Sequence, residues 1–280
     1  MDTPEVDRST AAVVALKAAE HAKSRLDLPA PLRRRLAWTM AVDTLAALSA
    51  AVSQVLVVSN QPALASRLGR SGLDVAVRAE PVRGGMNSAL SMGAEALREA
   101  GFATVLACVG DLPALRPDSV RHVLGAARQF PRSFLSDASG IGTTMLIAGD
   151  GQPLQPCFQG RSAAAHQAGG ATRLDADRLG APLADARRDV DTEVDLDTAI
   201  GLGLGSSTGS LIDQQSNRIG RYAVITATQW RDGGEQTAVT ATGYRVVLPQ
   251  AALADGIRAA RLGQRMHAVL AGERVLSAWL

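Results

Sequence analysis

The chain has 280 residues, 46% of them apolar, and a formal charge of +2 at pH 7. This length favours one main domain with a smaller appendage, and the nearly balanced charge argues against bulk electrostatic capture of nucleic acid. No apolar run reaches the roughly 20 residues of a membrane span, and the first ten residues are too polar for a signal peptide. The two cysteines provide neither a disulfide framework nor metal-ligand spacing. We therefore expect a cytoplasmic protein without a membrane partner.

The first part of the chain alternates apolar runs with helical patterns. Strands are predicted over 11–16, 54–59, 74–77 and 104–109, and helices from Pro31 to about residue 50, over 62–68, and from Asn87 as an N-cap. Crossovers of a dozen or more residues between successive strands imply parallel pairing. The pattern predicts a Rossmann-like, mostly parallel α/β domain.

The second part of the chain predicts a change of architecture. A helix from Pro117, strands over 134–137 and 142–148, a helix from Arg161 and a helix over 194–204 complete a first domain, which we place at 1–204. Glycine and serine around 205–219 have linker composition. Residues 220–280 then predict a small closed β-barrel of OB type, with strands over 222–228, 237–242, 245–248, 265–270 and 274–280 and one helical turn within 251–260.

Three aspartates lie where metal ligands are expected. Asp111 directly follows the strand over 104–109, and ligands collect at the carboxyl ends of such strands. Asp189 and Asp191 flank Val190, and residues i and i+2 of an extended segment point to the same side. If the fold brings the two segments together, their carboxylates would suit a hard divalent ion such as Mg²⁺. Ordinary turn and cap roles remain the alternative, because the sequence does not show that proximity.

A basic loop follows the first predicted strand. Only two of the 29 basic residues are lysines, Lys17 and Lys23, and Arg25 lies beside them. Triphosphate oxygens need cationic or N–H partners, so the loop predicts a nucleotide phosphate site; a solvated basic loop is the alternative. The absence of Gly-x-Gly-x-x-Gly and Gly-Lys-Ser/Thr motifs argues against dinucleotide oxidoreductases and phosphate-loop ATPases.

Several polar residues have both an ordinary and a functional interpretation. Asn87 is either an N-cap or an amide ligand of a nucleotide, and Thr143 and Ser162 are either strand and cap hydroxyls or contacts to an anionic substrate in the same crevice. The histidines have no ligand spacing, so surface or packing roles are expected for them. They are His21, His122, His166 and His267.

The motifs occur in an order that resembles one enzyme family. They are Lys17-x5-Lys23-Ser24-Arg25-Leu26, Asn87-Ser88-Ala89-Leu90, Gly110-Asp111-Leu112-Pro113, Gly142-Thr143, residues 158–162 and Asp189-Val190-Asp191-Thr192. Residues 11 to about 204 resemble the 2-phospholactate or phosphoenolpyruvate guanylyltransferase family of deazaflavin coenzyme F-420 biosynthesis. The resemblance implies a nucleotide-diphospho-sugar transferase-like fold and transfer of GMP from GTP to a phosphorylated three-carbon acid, with release of pyrophosphate.

The resemblance also implies site roles and partners. It implies Mg²⁺ on Asp111, Asp189 and Asp191, the triphosphate on Lys17, Lys23 and Arg25, and the acid near Thr143, Gln159 and Ser162. The family often has glycine directly after the phenylalanine, whereas this chain has Gln159 and only then Gly160. The arginine- and alanine-rich composition favours the bacterial branch and therefore phosphoenolpyruvate, and a downstream enzyme of deazaflavin coenzyme assembly is an expected partner.

The predicted barrel lies outside this resemblance. It is similar to a cold-shock-type OB module, a class that stacks single-stranded bases on aromatic residues. Its aromatic residues form no close cluster in the sequence, so an interaction or stabilising role is favoured over nucleic-acid binding. Two alternatives to the guanylyltransferase stay open: a molybdopterin or sugar-phosphate nucleotidyltransferase, since one fold serves many acceptors, and an RNA-binding regulator that acts through the barrel.

Overall fold

The computed structural model describes residues 7–17, 23, 25–26, 28–80, 84–216, 221–230, 235–254 and 257–280. Most of the predicted basic loop, the polar residues 1–6 and the end of the predicted linker lie outside these ranges. The chain divides into two compact units, Met1–Thr208 and Gly209–Leu280. Among the described helices, none has both the length and the apolar character needed to cross a membrane.

The first unit contains a seven-stranded sheet with the order β3-β2-β1-β4-β6-β5-β7. Its strands are β1 Asp7–Ala15, β2 Val52–Ser59, β3 Ala76–Ala79, β4 Thr104–Cys108, β5 Arg132–Ser136, β6 Thr143–Ala148 and β7 Thr172–Arg173. The prediction of a mostly parallel sheet is confirmed, because the pairs β1–β2, β1–β4 and β2–β3 are all parallel. The expectation of parallel pairing is wrong at β6, which runs antiparallel to β4 and β5, because six residues between β5 and β6 suffice only for a hairpin.

Helices pack on both faces of this sheet. In chain order, the helices that the structure describes are α1 Ala30–Ser49, α2 Leu64–Arg70, α3 Met86–Glu99, α4 Pro117–Ala127, α5 Ser162–Ala168, α6 Ala176–Leu179, α7 Ala184–Arg187, α8 Glu193–Leu202 and α9 Ser206–Ser216, which crosses the boundary between the two units. Alternate residues of β1 face opposite sides: Ala12 and Val14 join the core under α1, α2 and α4, whereas Ala11 and Val13 join the core under α3 and α5. Burial on both faces explains why β1 is continuously apolar.

One local expectation for this unit is wrong. Gly85 is the N-cap of α3, so Asn87 lies inside the first turn of the helix instead of capping it. Most of the segment expected as a linker is helix α9. Its first turn is fixed from a distance, because the buried Asp43 carboxylate in α1 accepts hydrogen bonds from the backbone N–H groups of Ser207 and Thr208 at 2.9 and 2.8 Å.

The second unit contains the predicted closed barrel. Its strands are β8 Arg221–Trp230, β9 Gln236–Thr240, β10 Arg245–Leu248, β11 Arg265–Ala271 and β12 Arg274–Trp279, in the order β10-β12-β11-β8-β9. The pair β10–β12 is parallel and the other pairs are antiparallel, which is the strand arrangement of an OB-fold. The predicted helical turn is only a 3-10 turn at Gln250–Ala252.

An exposed aromatic cluster lies on the outer surface of the barrel. The rings of Tyr222 and His267 are 5.8 Å apart with their planes 23° from parallel, and those of His267 and Trp279 are 6.0 Å apart at 22°. The expectation that no aromatic cluster forms is therefore wrong. The reason is strand pairing, since His267 in β11 is the direct register partner of Trp279 in β12.

Candidate active site

The site lies at one edge of the seven-stranded sheet. Strands β1 and β4 are parallel neighbours, so the residues that follow them meet at this edge. Antiparallel pairing of β6 with β4 brings the start of β6 to the same edge, where Val109 donates a backbone hydrogen bond to Thr144. Asp111 and Thr143, predicted from distant motifs, thus lie at neighbouring strand ends.

The segment that carries Asp189 and Asp191 is attached to Asp111 through the backbone. The N–H of Val190 donates to the carbonyl oxygen of Asp111 at 3.2 Å, and the Val190 side chain is completely buried. This anchor places one aspartate on each side of Val190 next to the Asp111 loop. The proximity that the sequence left open is therefore present in the fold.

Lys23 binds two of the three carboxylates. Its ammonium group forms ion pairs with Asp111 and with Asp191, the second at 2.9 Å, and its side chain is only 9% exposed. Burial alone would lower the pKa of Lys23, but the Asp111 and Asp191 carboxylates outweigh burial and raise it. Lys23 is therefore a fixed positive charge at neutral pH.

Asp189 and one oxygen of Asp111 show signs of unbalanced negative charge. Burial, followed by repulsion from Asp111, Asp137 and Asp191, raises the pKa of Asp189 to about 7. The Oδ1 atom of Asp111 is buried and has no hydrogen-bond partner in the described part of the chain. A buried carboxylate oxygen without a partner is costly, so these residues fit a further cation.

A ready-made chelating set is absent from the described residues, in which no three His, Cys, Asp or Glu side chains are grouped as metal ligands. The position of Lys23 accounts for this arrangement, because Asp111 and Asp191 are oriented around its ammonium group. The metal-ligand roles of these aspartates stay predictions.

The other two cations of the predicted phosphate site lie at the same edge with greater exposure. Lys17 lies two residues after the end of β1 and is exposed. Arg25 is 76% exposed, and its Nη1 atom is 4.0 Å from Asp191. A pair at this distance and exposure contributes little to stability, so Arg25 can exchange Asp191 for an anion at little cost. Their role in binding a triphosphate stays a prediction.

Asn87 fixes the loop that precedes α5. Its side-chain amide donates to the carbonyl oxygen of Phe158 at 3.1 Å and accepts from the N–H of Phe158 at 2.8 Å. The amide therefore acts as a backbone partner for the loop, and a nucleotide contact by Asn87 stays a prediction. The next residue, Gln159, is exposed and has a φ of +90°, which is rare for a residue other than glycine.

His166, which no sequence motif singled out, connects three parts of the site. His166 is 2% exposed; its Nδ1 atom is 2.9 Å from the Thr143 hydroxyl, and its Nε2 atom accepts from the N–H of Cys157 at 2.8 Å. Burial, with a smaller effect of Arg132, lowers the pKa of His166 to about 4. One feature of the sequence could have indicated His166. It is four residues after Ser162, a predicted site residue, so the two share a face of α5.

Thr44 in α1 was also missed. Its buried hydroxyl accepts a hydrogen bond from the N–H of Leu112 at 3.0 Å and donates to the carbonyl oxygen of Met40 at 2.9 Å. This contact holds the loop directly after Asp111. No local pattern marks Thr44, because its partner is 68 residues away.

Comparison with known proteins places this geometry in context. Residues 29–186 match the family model of the MobA-like NTP transferase domain. The chain is 44% identical over 206 residues to the phosphoenolpyruvate guanylyltransferase of Streptomyces coelicolor, covering 71% of this chain and 93% of that protein. It is 43% identical over 215 residues to the phosphoenolpyruvate guanylyltransferase of Salinispora arenicola, covering 75% and 96%.

Solved structures bear out the fold. A protein from Desulfovibrio desulfuricans, assigned as a nucleotide-diphospho-sugar transferase, superposes with a TM-score of 0.57 at 14% identity, covering 74% of this chain and 95% of that chain. At this identity the similarity concerns the fold alone. The predicted nucleotide-diphospho-sugar transferase-like fold is confirmed.

Proposed function

This chain belongs to the phosphoenolpyruvate guanylyltransferase family and carries its MobA-like NTP transferase domain, and we propose that it transfers GMP from GTP to the phosphate of phosphoenolpyruvate. The observation that carries this proposal is the cluster of Lys23 with Asp111 and Asp191 at the carboxyl edge of the sheet. Such a cluster combines the cation that a phosphate needs with the oxygen ligands that Mg²⁺ prefers.

The reaction needs no covalent enzyme intermediate. A phosphate oxygen of the acid, already anionic at neutral pH, forms a bond to the α-phosphorus of GTP, while the bond from that phosphorus to the bridging oxygen breaks and pyrophosphate leaves. Lys17, Lys23 and Arg25 offset the charge on the triphosphate. No thiol is needed as a nucleophile, and burial, with a smaller effect of Asp111, raises the pKa of Cys108 far above its usual range.

We propose Mg²⁺ as the cofactor, with Asp111, Asp189 and Asp191 as the residues that would hold it. The partnerless Oδ1 atom of Asp111 and the raised pKa of Asp189 support this choice. When bound, the ion would neutralise charge on the transferring phosphoryl group.

The family relatives support phosphoenolpyruvate over 2-phospholactate as the acceptor, because the relatives compared above carry that name. We also propose that the product feeds a downstream enzyme of deazaflavin coenzyme F-420 assembly in the cytoplasm.

Pyrophosphate release by the full-length protein tests the proposed function. With GTP and Mg²⁺, we expect release with phosphoenolpyruvate, less with 2-phospholactate, and none with a sugar 1-phosphate, molybdopterin or no acceptor. Release with the sugar phosphate or molybdopterin alone would support those alternative acceptors instead. No release with either three-carbon acid would contradict the guanylyltransferase.

An aspartate variant tests the site itself. Asp111→Asn should lower kcat/KM by a factor of about 100 or more, as expected for loss of an electrostatic ligand. Asp118→Asn is a matched control, because Asp118 is an 88% exposed carboxylate in α4. Equal activity of the two variants at limiting Mg²⁺ would contradict the metal role of Asp111.

A specific observation favours a second activity in the barrel. Tyr222 and Trp279 are 57% and 37% exposed, and with His267 they form the aromatic cluster on neighbouring strands. Arg265 is exposed two residues before His267 and therefore shares its face. Residues 209–280 contain eight arginines and only five carboxylates. We propose that this surface binds single-stranded nucleic acid, because bases stack on exposed rings beside cationic side chains.

Binding of a fluorescent oligouridine to the full-length protein tests the second activity. Tyr222→Ala should weaken binding about tenfold or more, since stacking contributes about 1–3 kcal/mol per base. Tyr244→Ala is the control, because Tyr244 is 49% exposed in the barrel and lies outside the cluster. Absence of salt-dependent binding, or equal loss in both variants, would refute this activity and leave the interaction or stabilising role.

A further inference from the structure

Two polar side chains from different helices bind the backbone of the residues just before Gln159. Asn87, in α3, forms both backbone hydrogen bonds that a neighbouring strand would otherwise offer to Phe158. His166, in α5, accepts the N–H of Cys157. Phe158 is thus fixed by a side chain 71 residues earlier in the chain, and Cys157 by a side chain nine residues later.

The hydrogen bonds determine which nitrogen of His166 carries the proton. A backbone N–H can only donate, so Nε2 of His166 must be the unprotonated acceptor for Cys157. The ring is neutral, in keeping with its pKa of about 4, and its single proton therefore lies on Nδ1. This proton is donated to the hydroxyl oxygen of Thr143, so the hydroxyl proton of Thr143 remains available to another acceptor.

The backbone after this anchored segment is strained. Gln159 has a φ of +90° and Gly160 a φ of +56°. The left-handed region is unfavourable for glutamine, and such a conformation persists only where the surroundings determine it. Asn87 and His166 supply that constraint immediately upstream, and the exposed Gln159 side chain and backbone extend from the anchored loop.

We propose that His166 and Asn87 are positioning residues for the acceptor acid. His166 orients the Thr143 hydroxyl as a hydrogen-bond donor to the acid. Together with Asn87, His166 also holds Gln159 in the conformation that contacts the acid. This inference rests on the proposed function, because it assigns the anionic acid as the ligand of Thr143 and Gln159. An anion suits this place, since it can accept the hydroxyl proton that the hydrogen bond from His166 leaves available.

Packing alone provides the competing explanation for His166. Its ring lies 5.1 Å from that of Phe158 in a T-shaped arrangement and 5.8 Å from that of Phe134. Phenylalanine at position 166 would preserve these ring contacts and remove both hydrogen bonds. If His166 served packing only, phenylalanine would therefore be tolerated.

Steady-state kinetics of full-length His166→Phe separate the two explanations. We expect the KM for phosphoenolpyruvate to rise about tenfold or more and the KM for GTP to change less than twofold. Asn87→Leu should produce the same selective change. His122→Phe is the matched control, because His122 also binds a backbone carbonyl, that of Leu179 in α6. An unchanged KM for the acid in folded His166→Phe would overturn the proposal.

A conservative variant tests the Thr143 contact by itself. His166→Asn places an amide donor near the position of Nδ1, so we expect it to recover part of the lost affinity for the acid. An asparagine variant as impaired as the phenylalanine variant would overturn the role of His166 in orienting Thr143.

A spectroscopic measurement remains decisive if the variants fail to fold. Long-range proton–nitrogen NMR of the wild-type protein should show the His166 proton on Nδ1, and a cationic ring or a proton on Nε2 would overturn the proposal. Wild-type protein that shows this tautomer but releases no pyrophosphate with either acid would refute the proposed function instead. Active wild-type protein with an indifferent His166→Phe variant would refute only the positioning role.

Discussion

The Lys23 ammonium group is the cation that balances Asp111 and Asp191 in the described structure. A buried ion pair that loses one partner leaves an uncompensated charge, and this loss is more harmful than the net value of the pair. Lys23 also has a φ of +58°, so the backbone accepts an unfavourable conformation where this side chain is placed. These features connect Lys23 to charge balance in the site.

Replacing Lys23 should make the fold more dependent on a divalent ion. We expect Lys23→Met to lower the Tm in the absence of metal and to show a larger rise in Tm with Mg²⁺ than the wild-type protein, because the ion replaces the missing ammonium charge. Thermal unfolding with increasing Mg²⁺ measures this effect. Lys17→Met, a change at an exposed lysine, should behave like wild type; equal metal responses in all three proteins would contradict the prediction.

His166 should make stability depend on pH. Its pKa is lowered from 6.5 to about 4 in the folded protein, chiefly by burial, so the unfolded chain takes up a proton first as the pH falls. The contribution of neutral His166 is complete above about pH 6.5 and is lost as the pH falls toward about 4. The free energy of unfolding should therefore fall more steeply over this range in wild type than in His166→Phe, and parallel pH profiles would contradict this assignment.

Helix α3 approaches the sheet closely because it contains Gly93. A Cβ atom at position 93 would lie 2.4 Å from Cγ2 of Val13 and 3.0 Å from Cγ2 of Val58. Both valines belong to the core under α3. The close approach matters for the site, because Asn87 in the first turn of α3 must reach the Phe158 backbone.

Two glycine substitutions in helices should therefore have opposite effects. Gly93→Ala should reduce the free energy of unfolding by about 1–3 kcal/mol, since extra volume in a packed core forces shifts. Gly125→Ala, in α4, has no atom within 4 Å of its new Cβ and should increase stability by up to about 1 kcal/mol through helix propensity. Urea unfolding measures both changes, and destabilisation of similar size in the two variants would refute the packing argument.

The net charge of the whole chain conceals a difference between its two units. Residues 1–208 contain 21 basic and 22 acidic residues, whereas residues 209–280 contain eight arginines and five carboxylates. The matches to the guanylyltransferase relatives cover 71% and 75% of this chain and 93% and 96% of those relatives. We therefore expect the guanylyltransferase chemistry to need no residue of the barrel, and the excess of arginine belongs to the barrel unit.

A shortened chain should separate the two activities. A protein that ends at Ser216, the last residue of α9, should keep kcat/KM for phosphoenolpyruvate within about twofold of wild type, because every proposed contact to the substrates precedes residue 167 and every proposed metal ligand precedes residue 192. It should lose binding to single-stranded nucleic acid. Loss of guanylyl transfer by a folded shortened chain would show that the barrel contributes to catalysis.

Much of the architecture could be predicted from the sequence because its signals are local. The apolar runs of β1, β2 and β4 predict buried parallel strands, and the barrel strands follow from short alternating runs. Asp111 could be located for the same reason, since the residue after a buried strand must lie at the sheet edge. The observed ends of α2 and β3 differ from the predicted ends by a few residues, because helix and strand ends depend on tertiary contacts as well as propensity.

Other features depended on contacts between distant residues. Strand β6 runs antiparallel, α9 forms in a Gly/Ser-rich segment with its first N–H groups bound to Asp43, and Tyr222 meets His267 across paired strands. No residue pattern within one segment specifies such pairs. The same reason explains why His166 looked like an ordinary histidine, although it binds Thr143 and Cys157.

The sequence by itself thus determined the α/β domain, the barrel and the residue types at the sheet edge, because propensity and periodicity act over a few residues. Only the tertiary structure decided that Asp189 and Asp191 lie beside Asp111 with Lys23 between two of the carboxylates. The physical reason is that charge balance in a site depends on distances in space, and residues 23, 111 and 191 come together only when the sheet and the segment around Val190 are packed.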